Sequence, residues 1–200
     1  METDNYLDLR LGDFLEKLAA RGQAPGAGSA AALTVSFAAG LVAMVARSSR
    51  ESWDDAPGVA AQALAIQDRA APLARSDGEA WETALAALHN AGNSEADGNG
   101  ARRDFDLEQK LELAAAVPLE IAELGADVAS LAALAGELGD GAFRADAAAA
   151  AALAAGGARA AAHLVEVNLG VREGDERLAR ARASEQAAAE AVERLLATIR

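Results

Sequence analysis

Apolar residues recur every three or four positions along most of this chain, which is the spacing of one face of an α-helix. Sustained alternation of apolar and polar residues, typical of strands, is absent, and only four prolines interrupt the sequence. The pattern predicts an all-α protein. We expect six helices. The first two cover about 5–21 and 29–49, the third follows the turn at 53–58 and ends at about 89, and the last three cover about 101–138, 143–170 and 174–199.

Short polar or glycine-rich segments join these predicted helices. The clearest loop is NAGNSEADGNG at 90–100, and a Gly-Asp-Gly turn follows at 139–141. Short connections place long consecutive helices side by side and antiparallel. We therefore expect an up-and-down bundle of about six helices that forms a single domain over residues 1–200, with possible bends at Pro72 and Pro118.

The second predicted helix carries no charged residue from Ala30 to Ala46. Its length approaches that of a membrane span, but its Ala, Gly, Ser and Thr content favours a buried helix of a soluble bundle. A helix that is apolar nearly all round needs partners on more than one side. Because six helices offer few such partners, we expect the bundle to form a homodimer through its helices.

The charge and cysteine content exclude several classes of function. The net charge of −13 argues against nucleic acid, because binding to it depends on neutralising phosphates with Lys and Arg. The chain has no cysteine, so disulfides and thiolate metal sites are excluded, which fits a reducing cytoplasm. The acidic first residues are unlike a signal peptide. We expect a soluble cytoplasmic protein that binds neither nucleic acid nor membrane.

The turn APGAGS at 24–29 is the most informative local feature. Pro25 cannot lie inside a helix, and Gly26 and Gly28 tolerate backbone angles that are closed to other residues. Ser29 is a natural N-cap with three alanines behind it. Such a turn offers free N–H groups at the positive end of a helix dipole. It either binds an anion or a polar ring edge, or it simply begins a buried helix.

Three longer blocks stand out along the chain. They are FLEKLAARGQAPGAGSAAALTVSFAAGLVAMVA (14–46), VPLEIAELGADV (117–128) and ADAAAAAALAAGGARAAAHLVEVNL (145–169). Together they resemble the cyclodeaminase/cyclohydrolase family of folate enzymes, which includes the C-terminal domain of formiminotransferase-cyclodeaminase and stand-alone bacterial methenyltetrahydrofolate cyclohydrolases. A shorter segment, DGEAW at 77–81, resembles an Asp-x-x-Ala-Phe pattern of the same family. The four matches occur in the family's order.

The chain departs from the family pattern at three places. Ala27 replaces the middle glycine of a Pro-Gly-Gly-Gly-Ser turn, and SSRESWDD stands where the family has a lysine-rich segment, so that Arg50 is the nearest cation. Leu164 replaces the first residue of an Asn-x-x-x-Asn pair, which leaves Asn168. The resemblance therefore implies either an active enzyme or a non-catalytic folate-binding or regulatory relative. A purely structural bundle is a third interpretation.

The resemblance implies chemistry at the one-carbon bridge between N5 and N10 of tetrahydrofolate. A formiminotetrahydrofolate cyclodeaminase lets N10 attack a formimino carbon on N5, and ammonia leaves. A methenyltetrahydrofolate cyclohydrolase adds water to the methenyl carbon, and one C–N bond opens to a formyl group. Both reactions move protons at nitrogen and benefit from a carboxylate near a delocalised cation. Neither needs a metal or an organic cofactor, and we expect none.

The resemblance also implies site residues. Asp77 is the candidate general acid/base, although it could instead cap a helix turn. Trp81, one turn further on, either stacks on a pterin or fills the core. The candidate substrate-binding residues are Pro25, Gly26, Gly28, Ser29, Arg50, Asp146 and Asn168.

Asp146 and Asn168 fall on nearly the same face of the fifth predicted helix but lie about 33 Å apart along its axis. They cannot share one small site in one subunit unless the helix breaks at Gly156-Gly157. Either one of them is structural, or two subunits contribute opposite helix ends to a shared site.

The anionic glutamyl tail of folate requires local cations on so acidic a protein. The candidates are Arg47, Arg50, Arg102, Arg103 and Lys110. Glu120 and Glu123 either face the site or form ion pairs. His89 and His163 lack metal-ligand spacing, and we assign them no role.

Overall fold

The computed structural model describes residues 5–21, 25–92, 100–170 and 174–199, and their side chains except those of 90–92, 100–107 and 199. These residues form six α-helices and two short 3-10 helices, and none is in a strand. The α-helices are α1 (Leu11–Ala19), α2 (Ala27–Ser48), α3 (Ala56–Gly92), α4 (Gly100–Leu138), α5 (Arg144–Leu169) and α6 (Glu176–Ile199). The predicted all-α fold is confirmed.

The predicted helix ends agree with the structure to within a few residues, except in the first helix. There, a 3-10 turn at Tyr6–Asp8 precedes α1, which begins only at Leu11. Phe14 is buried and meets the Tyr6 ring edge-on, with 5.7 Å between ring centroids. α3 and α4 continue through Pro72 and Pro118. Most of the predicted loop at 90–100 lies outside the described residues.

From α2 onward, consecutive helices run antiparallel, and α2, α4 and α5 form the centre of the bundle. α3 packs on α2 and α4, while α6 packs on α4 and α5. The start of α2 lies beside Ala74 of α3, and the end of α5 lies beside Ala114 of α4. At the other end of the bundle, the Ser49 hydroxyl accepts a hydrogen bond of 2.8 Å from the Asp140 N–H.

Small residues allow these helices to approach closely. A Cβ added to Gly157 of α5 would lie 2.7 Å from a methyl group of Val35 on α2. A Cβ added to Gly125 of α4 would lie 2.9 Å from the Cβ of Ala158. Both separations are too short for real side chains, so these glycines set the spacing of the central helices.

Among the residues that the structure describes, two segments are long and apolar enough to cross a membrane by length and composition alone, Ala27–Ser48 and Gly141–Leu169. In this structure both serve as central helices of the bundle. Most of α2 is buried against α3, α4 and α5, which agrees with the sequence-based expectation of a buried helix.

Candidate functional site

A cavity of about 240 Å³ opens at the end of the bundle where α2 begins and α5 ends. It brings together the glycine-rich turn, the 77–81 segment and the end of the 145–169 block. Pockets that enclose drug-sized ligands typically measure roughly 300–1,000 Å³, so this one suits a ring system rather than an extended molecule. It is lined by Gly26, Ala27, Gly28, Asp77, Gly78, Trp81, Ala114, Leu164, Val167 and Asn168.

Asp77 supplies the carboxyl group in this lining. It lies on α3, is only partly exposed, and accepts a hydrogen bond from the backbone N–H of Ser29 in the first turn of α2. Burial raises the pKa of Asp77 from its ordinary value of 3.8 to about 6, and the Ser29 hydrogen bond opposes that rise. A carboxyl group with a pKa near neutrality can both accept and donate a proton.

Gly28 makes room for this carboxylate. A Cβ at position 28 would overlap the carboxyl atoms of Asp77. Among the described residues, positive φ angles occur only at Gly170 and Gly174, so unusual backbone angles do not explain the glycine at 28. The prediction that Gly28 is needed for a backbone angle closed to other residues is therefore wrong. Glycine is required here because the Asp77 carboxyl group of α3 lies directly against the backbone of α2.

Ser29 does not cap α2, contrary to the sequence-based expectation. The N-cap is Gly26, which has no side chain, and the helix begins at Ala27. The Ser29 hydroxyl is buried and donates a 2.7 Å hydrogen bond to the carbonyl oxygen of Ala74. Asp77 caps α2 from a neighbouring helix, since it accepts the Ser29 N–H that a capping side chain would bind. Pro25 is buried beside the turn but does not line the cavity.

An aromatic ring and several apolar side chains complete the cavity wall. Trp81 lies one turn after Asp77 on α3 and is partly exposed, so it is a wall residue and not a core residue. Ala114, Leu164 and Val167 add apolar surface. The sequence analysis did not identify Ala114 or Val167 as cavity residues. The one signal that could have identified Val167 is its position next to Asn168.

Asn168 lies in the cavity wall near the end of α5. It is buried, and its Nδ2 donates a 2.8 Å hydrogen bond to the carbonyl oxygen of Ala114. This bond joins α5 to α4 and fixes the plane of the amide. Leu164, one turn earlier, presents an apolar side chain to the same cavity.

Arg50 and Asp146 are not brought into the cavity of their own chain. Arg50 is exposed just beyond the C-terminal end of α2, about 35 Å from Ala27 along that helix. Asp146 lies in the first turn of α5, which continues unbroken through Gly156 and Gly157. Asp146 therefore lies about 33 Å from Asn168 along α5, as the sequence predicted. Both residues lie at the opposite end of the bundle.

The other charged candidates lie outside the cavity lining. Glu120 pairs with Arg69 at 3.2 Å, and Glu123 pairs with Arg180 at 2.6 Å. These pairs join α4 to α3 and α6.

The candidate cations also lie outside the cavity lining. Lys110 lies one turn before Ala114 on α4. The side chains of Arg102 and Arg103 lie outside those that the structure describes, and Arg47 is exposed at the far end of α2. Within the described part of the chain, no cluster of three His, Asp or Glu could hold a metal ion.

The raised pKa of Asp77 predicts an effect on stability. The folded carboxyl binds its proton more tightly than the unfolded one, so stability falls as the pH rises from 3.8 to about 6 and stays low above that. Asp77→Asn keeps an acceptor for the Ser29 N–H and never ionises. We expect it to be about 3 kcal/mol more stable than the wild type at neutral pH. The difference should shrink towards zero near pH 4. Urea unfolding at both pH values measures this, with the exposed Asp68→Asn on the same helix as the control.

A model of the family described as formiminotransferase-cyclodeaminase matches residues 10–189 of this chain. Among solved structures, the chain is similar to a crystal structure of formiminotetrahydrofolate cyclodeaminase from Thermotoga maritima, with a TM-score of 0.80 and 23% sequence identity. The match covers 96% of this chain and 98% of that one, and at this identity it shows a shared fold. A comparison with curated proteins found no match.

Proposed function

This chain belongs to the formiminotransferase-cyclodeaminase family, and we propose that it catalyses a reaction at the N5–N10 one-carbon bridge of tetrahydrofolate. The reaction is that of a methenyltetrahydrofolate cyclohydrolase or a formiminotetrahydrofolate cyclodeaminase. The observation that carries the proposal is the Asp77 carboxyl group, whose pKa is about 6, in a cavity built by the segments that match the family.

In the proposed mechanism Asp77 moves the protons. In cyclohydrolysis its carboxylate takes a proton from the attacking water and returns it to the nitrogen that leaves as the C–N bond opens. In cyclodeamination it takes the proton that N10 loses on attack and gives it to the departing ammonia. In both reactions the ionised carboxylate also stabilises positive charge on the one-carbon bridge. The mechanism uses no metal or organic cofactor.

The remaining cavity residues are proposed to hold the pterin. The Trp81 ring offers a flat surface for stacking, and the apolar side chains of Leu164 and Val167 help to exclude water from the cavity. The Asn168 amide, fixed by its bond to Ala114, offers its carbonyl oxygen to an N–H group at the ring edge. The N-terminus of α2, with Gly26 and Gly28, lies beside the reacting carbon in this arrangement.

Two absorbance assays test the function. Purified protein is incubated with 5,10-methenyltetrahydrofolate, and the loss of near-ultraviolet absorbance is followed. A second sample receives 5-formiminotetrahydrofolate, and the gain of the same absorbance is followed. The proposal requires turnover of at least one substrate above the uncatalysed rate, and the faster of the two identifies the reaction. If folate binds and neither reaction is accelerated, the chain is a binding relative and the enzymatic proposal is wrong.

Within the cavity wall, Leu164 is the departure from the family pattern that favours such a binding relative. Ala27, the other departure near the cavity, is exposed at the first position of α2, where ordinary helical backbone needs no glycine. Leu164 instead removes a polar group from the cavity wall itself. Leu164→Asn restores that group, so it should raise turnover if the substitution weakened catalysis.

Trp81 is expected to report ligand binding directly. The chain contains two tryptophans, and Trp53 is buried in the turn that follows α2, at the other end of the bundle. Stacking of a pterin on Trp81 quenches its fluorescence. Titration with a reduced folate should therefore quench Trp53→Phe strongly and Trp81→Phe weakly. Equal quenching of both variants would show that the pterin does not stack on Trp81.

A further inference from the structure

Ser29 makes two hydrogen bonds to the same turn of α3. Its hydroxyl donates a 2.7 Å bond to the carbonyl oxygen of Ala74, and its backbone N–H donates to the carboxylate of Asp77. Residues three apart lie on the same face of a helix, so both acceptors face the start of α2. A single residue of α2 is therefore bonded to the turn that carries Asp77 and to its carboxylate. We call these two bonds the Ser29 clamp.

The direction of the Ser29 hydroxyl follows from its place in α2. Further along the helix, the buried hydroxyl of Ser36 donates a 3.0 Å bond to the carbonyl oxygen of Ala32, four residues earlier. The residue four positions before Ser29 is Pro25, which precedes the helix and its N-cap. Ser29 thus has no carbonyl of its own helix in that position, and its hydroxyl bonds across to α3.

The Ser29 hydroxyl is not placed to touch a ligand in the cavity. Ser29 and Ala74 are both 0% exposed, and neither lines the cavity. Asp77, which the other bond of the clamp holds, does line it. An effect of the hydroxyl on chemistry in the cavity has to pass through a neighbour, and the neighbour that the clamp holds is Asp77.

The Asp77 carboxylate occupies a closely fitted position. The backbone of α2 approaches it so closely that a Cβ at Gly28 would overlap the carboxyl atoms. A displacement of about 1 Å at a reacting group can cost about 10²-fold in rate. The Ser29 clamp holds both the backbone of the α3 turn and the carboxylate, so it fixes this group relative to the cavity at two points.

We propose that Ser29 is the positioning residue for Asp77, because its hydroxyl holds the Ala74 turn of α3 against α2 and so keeps the Asp77 carboxylate bonded to the Ser29 N–H at the cavity wall. The effect of the clamp on catalysis rests on the proposed function, whereas the clamp itself does not. Ser29 touches no reacting atom and acts on the rate through the carboxylate.

Ser29→Ala removes the hydroxyl and leaves the backbone N–H in place. We expect kcat to fall about tenfold and KM to stay within a factor of about two, because the lost bond holds the proton-transfer group and not the substrate. The matched control is Ser36→Ala, which removes a buried hydroxyl whose hydrogen bond stays within α2. The control should keep the wild-type kcat. Equal kcat values for the two variants would contradict the positioning role.

A double-variant cycle separates positioning from a general loss of stability. If Ser29 acts through Asp77, Ser29→Ala lowers kcat about tenfold in the wild type but leaves the residual kcat of Asp77→Asn unchanged. Urea unfolding should show a similar loss of stability from Ser29→Ala in both backgrounds. A further tenfold loss of kcat in Asp77→Asn would show that the hydroxyl supports the whole cavity, and the proposal would be wrong.

The titration of Asp77 gives a readout that needs no activity. The hydrogen bond from the Ser29 N–H lowers the pKa of Asp77, and among the described residues that line the cavity from α2, α4 and α5, none is charged. Removal of the hydroxyl weakens that bond. Carbon-13 NMR should therefore show the Asp77 carboxyl, identified by its absence from Asp77→Asn, titrating at a higher pH in Ser29→Ala and unchanged in Ser36→Ala. An unchanged or lowered pKa of Asp77 in Ser29→Ala would overturn the proposal.

The two proposals can fail separately. If the wild type turns over neither folate, the proposed function fails, and the carbon-13 titration still decides whether Ser29 positions the Asp77 carboxyl. If the wild type is active while Ser29→Ala has the kcat and the titration of Ser36→Ala, the proposed function stands and the positioning role is wrong.

Discussion

Asp77→Asn is expected to lower turnover of the folate substrate by about 10²- to 10⁴-fold, the usual contribution of a positioned general acid or base. Asparagine keeps the shape of the side chain and an acceptor for the Ser29 N–H, so the start of α2 stays in place. It cannot take up a proton, and it carries no charge to stabilise the cationic bridge. The measurement is kcat from the absorbance assays, with far-ultraviolet circular dichroism to confirm the fold.

The control for this change is Asp68→Asn. Asp68 lies on the same helix, is exposed, and does not line the cavity. Its replacement removes one negative charge from α3 and should leave kcat within a factor of about two, as for other surface substitutions. Turnover by Asp77→Asn at the level of this control would remove Asp77 from the mechanism.

Gly28→Ala should have the second largest effect, with a loss of about 100-fold in kcat/KM. The added Cβ overlaps the Asp77 carboxylate, so the carboxylate or the start of α2 must move. A displacement of about 1 Å at a reacting group can cost about 10²-fold in rate. Forcing the two helices apart should also destabilise the fold by about 1–3 kcal/mol. Steady-state kinetics and urea unfolding measure the two effects.

Gly58→Ala is the matched control, because nothing lies within 4 Å of a Cβ at that position in α3. Alanine there should leave kinetics unchanged and raise stability by about 0.5–1 kcal/mol, since it restricts the unfolded chain and favours helix. Normal activity of Gly28→Ala would show that the backbone at the start of α2 does not need to approach Asp77 this closely.

The helices could be predicted from the sequence because their apolar spacing is a local property. The bounds of α2, α4, α5 and α6 follow from runs of small and apolar residues that end at glycine or polar turns. The first helix was less predictable. Leu11, Phe14, Leu15 and Leu18 have the spacing of one apolar helix face, but Leu11 and Leu15 are 62% and 54% exposed, so periodicity alone did not identify which side meets the core.

The candidate site was only partly predictable, because its parts come from four helices. The family resemblance indicated Asp77, Gly28 and Asn168, and the structure places all three in one cavity. It could not indicate that Asp77 caps α2, since that contact joins residues nearly fifty positions apart. The distance between Arg50 and the cavity depends on α2 being straight and continuous, which is a property of the packed bundle.

The roles of Trp81 and Ser29 also depend on contacts between helices that the sequence does not show. A tryptophan at helical spacing is usually a core residue, whereas Trp81 lines a cavity whose wall also includes residues of α2, α4 and α5. Serine after a glycine turn is usually an N-cap. Here the Ser29 hydroxyl instead donates a hydrogen bond to the Ala74 carbonyl oxygen in the interface between α2 and α3, and Gly26 is the N-cap residue.

The most direct test of the central claim is the pH dependence of kcat/KM, which reports the pKa of the essential group in the free enzyme. Burial of Asp77 predicts that wild-type activity falls as the pH drops through about 6, because the carboxylate base becomes protonated. The residual activity of Asp77→Asn should show no such inflection. A wild-type profile without an inflection near pH 6, or one that persists in Asp77→Asn, would contradict the assignment of the chemistry to this carboxyl group.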